Sequence, residues 1–176
     1  MALTKLNSAS VIERLPIGSV LQTFSTHYTG LASSTTSLAD VSGFSVAITP
    51  SSTSNKILVT VDVYFGFDTG DPYPYVLLLR NGTSIGTGGT PEGNRIATFL
   101  SGANVSGAEA STSQYKWIPA SRTYLDNPTS TSELTYKIQF ANKHNNVGYI
   151  NRQGNNDNEE YIQSPASGIT VQEIKQ

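Results

Sequence analysis

An alternation of apolar and polar residues over Lys56–Gly66 sets the strongest limit on the fold. Five apolar side chains recur at every second position, namely Ile57, Val59, Val61, Val63 and Phe65. A period of two is typical of a β-strand, because successive side chains of a strand point to opposite faces. The residues are mostly β-branched or aromatic, and the other face carries Asp62, so the pattern predicts an inner strand of an antiparallel sheet.

A second stretch, Glu133–Ala141, repeats this alternation with Leu134, Tyr136, Ile138 and Phe140 on one side. The two stretches are expected to be central strands that either face each other across a sandwich or pair within one sheet. Between them, Asn81-Gly82 predicts a tight hairpin, because a type I′ turn requires positive φ at both central residues.

Shorter strand patterns fill the rest of the chain and are separated by Gly, Pro, Ser and Asn clusters. They cover Ile17–Ser25, Gly43–Pro50, Tyr75–Arg80, Thr83–Gly86, Arg95–Leu100, Gln114–Ile118, Val147–Asn151 and Gly168–Ile174. About nine to ten strands without a long helix predict an all-β, antiparallel β-sandwich of jelly-roll type. This sandwich domain is expected to occupy residues 17–176.

Residues 1–16 differ from the remainder and are expected to form a short N-terminal attachment arm. Ser10 and Glu13 match a helical capping box, and Pro16 ends any helix at the preceding residue. An arm without regular structure is the alternative. Its apolar side chains need a partner surface, which makes them candidate assembly residues: Leu3, Leu6, Val11, Ile12 and Leu15.

The composition excludes several functions. The 176 residues include no cysteine, so neither disulfides nor thiolate chemistry is available. A net charge of −2 without a basic stripe argues against a nucleic-acid partner. No segment approaches the roughly 18 apolar residues of a membrane span, so no membrane insertion is expected. A low charged fraction of 14%, with abundant hydroxyl side chains, is common in extracellular β-proteins and virus particle proteins.

Catalytic and metal motifs are weak. Gly82–Gly86 matches the Gly-x-Ser-x-Gly motif of hydrolases, but Ser84 follows a hairpin turn and no helix can start directly after it. His27 and His144 lack triad spacing and are too few for an ordinary zinc site. The acids near Asp68 and Asp157 do not fit the EF-hand register. We therefore expect no catalytic residue, no metal and no cofactor.

Aromatic and polar residues near predicted loops are the candidate binding surface. They are Tyr73, Tyr75, His144, Tyr149, Asn151 and Arg152. Tyrosine rings with Asn and Arg side chains can stack on sugars and bond their hydroxyls, much as paratopes contact their targets. The alternative is that Tyr75 and Tyr149 belong to the sandwich core or a subunit interface.

Three runs of residues carry a resemblance to small, tail-fibre-like virion proteins of bacteriophages. They are the turn and strand Pro50–Val59, the segment Ser121–Pro128 followed by Leu134–Tyr136, and the opening Met1–Leu6. The resemblance covers most of the chain, and none of these runs carries catalytic residues.

A more distant similarity links the chain to the trimeric jelly rolls of complement-type globular heads and tumour-necrosis-factor-like domains. Gly43–Phe65 and Leu77–Gly82 stand where those domains have a strand pair followed by a hairpin. The second half of the chain departs from that pattern. The similarity implies a trimer.

Together the resemblances imply a non-enzymatic phage structural protein, made in the host cytoplasm and displayed on the virion surface as a tail-fibre-like or host-recognition component. Its expected partners are itself, as a homotrimer, and other phage tail or capsid proteins, with a host-surface glycan as a candidate ligand. Leu58 and Tyr64 are candidate assembly residues, because the outer face of their strand is too apolar for open solvent. The alternatives are a capsid decoration or cement protein and, in a different class, a glycan-active enzyme, which requires two carboxylates about 5–10 Å apart.

Overall fold

The computed structural model describes residues 14–68, 70, 73–102, 114–143 and 146–176. In these ranges the chain forms two antiparallel sheets that pack face to face. The strands are β1 (Val20–Tyr28), β2 (Ala32–Ser34), β3 (Ala39–Ile48), β4 (Lys56–Phe67), β5 (Tyr73–Arg80), β6 (Thr83–Ile85), β7 (Leu100–Ser101), β8 (Trp117–Asp126), β9 (Leu134–Lys143), β10 (Gly148–Ile150) and β11 (Ser167–Ile174).

Strand pairing is nested, as in a hairpin that has been rolled up. β1 pairs with β11, β3 with β9, β4 with β8, and β5 with β6. The first sheet therefore has the order β1-β11-β4-β8, and the second has the order β3-β9-β5-β6. Nested pairing of eight strands in two sheets is the arrangement of a jelly roll, so the predicted fold class is confirmed.

Three short strands extend these sheets. β10 pairs with the last residues of β4 and with β2, and β7 pairs with the first half of β5. The end of the sandwich where β4 and β9 finish and β5 begins is therefore wider than the opposite end. We call it the wide end.

The core lies between the sheets and is built from the alternation seen in the sequence. The inward side chains of β4 are at most 1% exposed, and Tyr136, Ile138 and Phe140 of β9 are buried to the same degree. The rings of Phe65 and Phe140 stack across the core at 5.9 Å. The two alternating stretches therefore lie in opposite sheets and face each other, which decides between the two predicted arrangements.

The predicted hairpin at Asn81-Gly82 is confirmed. Both residues have positive φ, 49° for Asn81 and 84° for Gly82. The Asn81 side-chain oxygen also accepts a hydrogen bond from the Thr135 amide at 2.8 Å, which ties the turn to β9.

Two predicted strands were wrong in extent. Arg95–Leu100 is not a strand before Leu100, where β7 begins and pairs with Val76, while β6 pairs with Leu78–Arg80. Of Gln114–Ile118, only Trp117 and Ile118 are in a strand, and they belong to β8, which continues through Pro119 to Asp126.

Pro119 is tolerated because β8 lies at the edge of the first sheet. Pro119 is opposite Tyr64, whose amide donates to the Ser167 hydroxyl and whose carbonyl accepts from the Asn151 amide, both on the side away from β8. The nitrogen of Pro119 therefore faces the open edge, where a missing N–H breaks no ladder bond.

The sheets are also joined by a polar cluster. The Asp126 carboxylate of β8, 3% exposed, accepts two hydrogen bonds from the Arg80 guanidinium at 2.7 and 2.8 Å. It also accepts the Tyr136 hydroxyl at 2.7 Å. Burial, followed by the adjacent carboxylate, raises the pKa of Tyr136, so its hydroxyl remains a donor. Since Arg80 and Tyr136 belong to the second sheet, the cluster fixes one sheet relative to the other.

A second buried carboxylate, Glu173 of β11, lies at the end of the sandwich opposite the wide end, which we call the narrow end. It holds the surrounding turn and strand together by hydrogen bonds. It accepts hydrogen bonds of 2.7–2.8 Å from the Ser51 amide and hydroxyl, the Asn55 amide group and the Gln22 amide group. Burial raises the pKa of Glu173, but these donors outweigh burial and hold the pKa below its ordinary value of 4.5. The turn Pro50–Asn55 therefore holds an ionised carboxylate.

Glu173→Gln is expected to lower the free energy of unfolding at pH 7 by about 2–3 kcal/mol, because donors arranged for a carboxylate meet a neutral amide. The lowered pKa contributes stability above pH 4.5 that is lost as the pH falls through the folded-state value. In urea unfolding, the difference between wild type and variant should therefore narrow below pH 4.5. Exposed Glu133→Gln is the control, and an unchanged difference from pH 7 to pH 3 would contradict the assignment.

The beginning of the described chain lies beside its end. The Lys175 ammonium donates to the Leu15 carbonyl at 2.5 Å, and the Gly18 amide donates to the Lys175 carbonyl at 2.8 Å. Residues 1–13 of the expected arm are outside the described residues. In the part of the chain that the structure describes, no helix has the length and apolar character needed to cross a membrane.

Candidate functional site

The outer face of the first sheet is the first candidate surface. Its outward side chains follow from the strand register and the alternation of side chains. They are Val20, Thr23, Ser25 and His27 of β1, Thr170, Gln172 and Ile174 of β11, Lys56, Leu58, Thr60, Asp62 and Tyr64 of β4, and Trp117, Pro119, Ser121, Thr123 and Leu125 of β8. Asp62 is the one acid in this set, and Lys56 is its one Lys or Arg residue.

Apolar side chains lie at both ends of this face, and hydroxyls lie between them. At the narrow end, Leu58 is directly opposite Leu125, which is 45% exposed. Towards the wide end, the rings of Tyr64 and Trp117 meet edge to face at 5.0 Å. A hollow of about 230 Å³ beside Tyr64 is lined by Asp62 and Pro119 among others.

The outer face of the second sheet is more strongly charged. The Lys137 ammonium donates to the Asp40 carboxylate at 2.5 Å, and the Gln139 amide donates to its other oxygen at 2.9 Å. The hydrogen bond from Lys137, with that from Gln139, holds the pKa of Asp40 below its ordinary value. The two outer faces therefore differ, because the second carries the Lys137–Asp40 ion pair, whereas the first carries Asp62 and Lys56 among apolar and hydroxyl side chains.

A groove at the wide end of the second sheet is the second candidate surface. Its volume is about 410 Å³, within the range of small-molecule sites. The start of β5, the segment between β6 and β7, and the end of β9 form its walls. Its lining residues are Tyr73, Pro74, Tyr75, Asn94, Ile96, Thr98, Ser101, Gly102 and Lys143.

The groove combines aromatic, aliphatic and polar groups. Tyr73 is 37% exposed and Ile96 is 44% exposed, whereas Tyr75 is 6% exposed. Burial raises the pKa of Tyr75, so the hydroxyl stays protonated at neutral pH. Lys143 is the one charged side chain among the described lining residues, and its ammonium donates to the Thr36 carbonyl at a long 3.4 Å.

The wall formed by the segment between β6 and β7 is anchored at its base. Phe99 is 2% exposed, and its amide donates to the Val76 carbonyl at 3.0 Å. The Arg122 guanidinium lies over the Phe99 ring at 4.8 Å and donates to the Phe99 carbonyl at 2.6 Å. Gly86 adopts φ 62° against the rings of Tyr124 and Phe99, where a side chain would be too close. The groove wall is therefore held by buried contacts.

The predicted binding residues divide between the two sheets. Tyr73 and Tyr75 line the groove, and Tyr149 and Arg152 lie at the wide end of the first sheet. His144 lies outside the described residues. The Arg152 guanidinium is 4.2 Å from the centre of the Tyr149 ring and donates to the Gln153 and Gly154 carbonyls at 3.0 Å.

Asn151 is buried within the chain. It is fully buried, has φ 64°, and its amide donates to the Tyr28 and Gly30 carbonyls at 2.8 and 3.0 Å. Its oxygen accepts the Ser167 hydroxyl at 2.6 Å. These bonds hold the backbone that passes over the end of β4, where a Cβ on Gly66 would lie 1.7 Å from the Arg152 carbonyl oxygen.

The predicted assembly residues fall into two groups. Leu58 and Tyr64 both lie on the outer face of the first sheet and are half-buried. Leu15 is half-buried beside Lys175, and the remaining arm residues are among those that the structure does not describe: Leu3, Leu6, Val11 and Ile12.

Sequence reasoning missed the groove residues Asn94, Ile96, Thr98, Ser101 and Lys143. The sequence pattern around Asn94, Ile96 and Thr98 predicted a loop followed by a strand. It gave no reason to expect these residues to lie beside the start of β5. The available signal was Ile96, an apolar side chain in a polar, glycine-rich context.

The weak motifs keep simple structural positions. Ser84 is exposed on β6, and residues 86–90 that follow have no regular structure, so the helix of a nucleophile elbow is missing there. His27 is exposed on β1. Within the described ranges, no three His, Asp or Glu residues come together as a metal site.

No protein-family model matches the chain, and no curated protein matches it.

Proposed function

We propose that the chain is a bacteriophage virion structural protein, a tail-fibre-like or host-recognition component that assembles with copies of itself through the outer face of the first sheet. The observation that carries this proposal is the charge-poor character of that face. Interface cores are depleted of charged residues and enriched in aromatic ones. Here only Asp62 and Lys56 are charged, beside Tyr64, Trp117 and the opposed pair Leu58 and Leu125.

The area of this face is also suited to contact with another copy of the chain. Four strands about 4.8 Å apart and roughly eight residues long give about 500 Å² in flat projection. A corrugated surface of that extent approaches the roughly 800 Å² that each partner contributes to a specific interface. The resemblance to trimeric jelly rolls predicts three copies.

A structural rather than enzymatic role fits the two buried carboxylates. Asp126 is held by Arg80 and Tyr136, and Glu173 is held by four donors. Each carboxylate lies inside the fold with its oxygens already bonded, whereas glycoside hydrolysis uses a pair that faces a cleft. A role within a particle also fits a surface with few charges.

Leu125→Asp and Tyr64→Asp are each expected to convert the oligomer into a folded monomer, because a carboxylate would be buried without a partner at the interface. Sedimentation velocity measures the oligomeric state, and circular dichroism checks folding. Leu125 is 45% exposed in the single chain, so its replacement should change the unfolding free energy of one chain by less than about 1 kcal/mol.

Leu38→Asp is the matched control, since Leu38 is 39% exposed just before β3 and lies off the proposed interface. It should leave the oligomer intact. If Leu125→Asp sediments like wild type, the outer face of the first sheet is not the assembly surface.

A further inference from the structure

We infer that the groove between β5 and the segment preceding β7 binds a short oligosaccharide that contains an acidic sugar. The inference rests on the proposed role in host recognition for the source of the sugar, a host-surface glycan. The choice of an acidic sugar, in contrast, rests on the residues that line the groove.

The lining matches the two-sided chemistry of a sugar ring. A pyranose has apolar C–H faces and a rim of hydroxyls, so its sites pair flat apolar side chains with hydrogen-bonding groups. Tyr73 and Ile96 provide exposed apolar surface from two different segments that line the groove. The amide of Asn94 and the hydroxyls of Thr98 and Ser101 supply both donors and acceptors.

Rigid aromatic contacts favour binding without a large ordering cost, since tyrosine has two side-chain torsions. The wall formed by the segment between β6 and β7 is anchored by Phe99 under the Arg122 guanidinium. The groove is therefore formed before a ligand arrives, as small-molecule sites usually are.

The charge of the groove selects the kind of sugar. Lys143 is its one charged side chain among the described lining residues, and none of those lining residues is a carboxylate. A carboxylate on the sugar would form a charge-assisted hydrogen bond with the Lys143 ammonium, which is shorter and stronger than a neutral one. Uronic-acid oligosaccharides are the simplest ligands of this class.

The test is saturation-transfer difference NMR and isothermal titration with trigalacturonate, and with maltotriose as the neutral probe. Wild-type protein should bind trigalacturonate with a millimolar or lower Kd and maltotriose more weakly. Tyr73→Ala should weaken trigalacturonate binding about tenfold, through loss of one ring contact and its apolar area. Lys143→Gln should remove the preference for the acidic probe.

Tyr161→Ala is the matched control, because Tyr161 is 59% exposed and lies outside the groove. It should bind trigalacturonate as wild type does. No signal from trigalacturonate at about 10 mM, or equal binding by wild type and Tyr73→Ala, would overturn the inference.

These outcomes are separable from those of the proposed function. A protein that is found in phage particles but binds neither probe loses this groove assignment alone. A protein that binds trigalacturonate but is missing from particles keeps the groove and loses the virion role.

Discussion

Val59→Asp is expected to leave the chain unfolded at 25 °C. Val59 is fully buried in β4, with Val171 opposite it on β11 and Tyr124 opposite it on β8. An unpaired carboxylate at this position costs several kcal/mol, to which the lost burial of valine adds about 2 kcal/mol. Together these terms approach the total stability of an ordinary domain.

Circular dichroism and amide NMR dispersion would measure this loss of structure. Position 59 is a cleaner test than position 61, because Arg122 lies opposite Val61 and would offer a new carboxylate a partner. Ala47→Asp is the control, since Ala47 is exposed on β3 and receives the same side chain. A folded Val59→Asp protein with native dispersion would contradict the assigned core.

Asp126→Ala is expected to lower the free energy of unfolding by about 3–5 kcal/mol. Removing the carboxylate leaves the Arg80 guanidinium and the buried Tyr136 hydroxyl without their acceptor between the sheets. Urea unfolding at neutral pH measures the change.

The surface ion pair on the second sheet is the matched comparison. Asp40→Ala removes a partner of Lys137 at a site where the Asp40 side chain is 51% exposed, so its cost should stay below about 1 kcal/mol. The triple variant Asp126→Leu, Arg80→Met and Tyr136→Phe should recover much of the loss, since an apolar cluster has no unpaired groups. A loss under 1 kcal/mol for Asp126→Ala would show that the cluster does not hold the sheets together.

The fold was predictable because its central strands carry their own pattern. Only a strand places every second residue from Ile57 to Phe65 on one face, and the same holds for every second residue from Leu134 to Phe140. The Asn81-Gly82 turn likewise has a local chemical signature. Short strands such as β2, β7 and β10 lack such a signature, because their existence depends on which strand edges remain open after the long strands have paired.

The candidate sites were less predictable, because they are assembled from distant segments. Tyr73 and Tyr75 could be singled out as loop-proximal aromatics, but the groove wall at Asn94–Thr98 comes from a segment whose position depends on one buried anchor, Phe99. The charge-poor outer face of the first sheet requires the register of β1, β11, β4 and β8 together. Its members Leu58 and Tyr64 were predictable from β4 alone.

Buried polar residues show the same limit. Glu173 is one of several acids in the sequence, and nothing local distinguishes it from Glu133. Its role appears only when the turn Pro50–Asn55, β1 and the end of β11 meet.

The proposed virion role is tested by the copy number of the chain in purified phage particles. Quantitative mass spectrometry against a major capsid protein of known number supplies it, with labelled antibody to locate the chain. A trimeric virion component should be present in a fixed number that is a multiple of three, at the tail or on the particle surface. Abundant chain in the lysate with none in washed particles would contradict it.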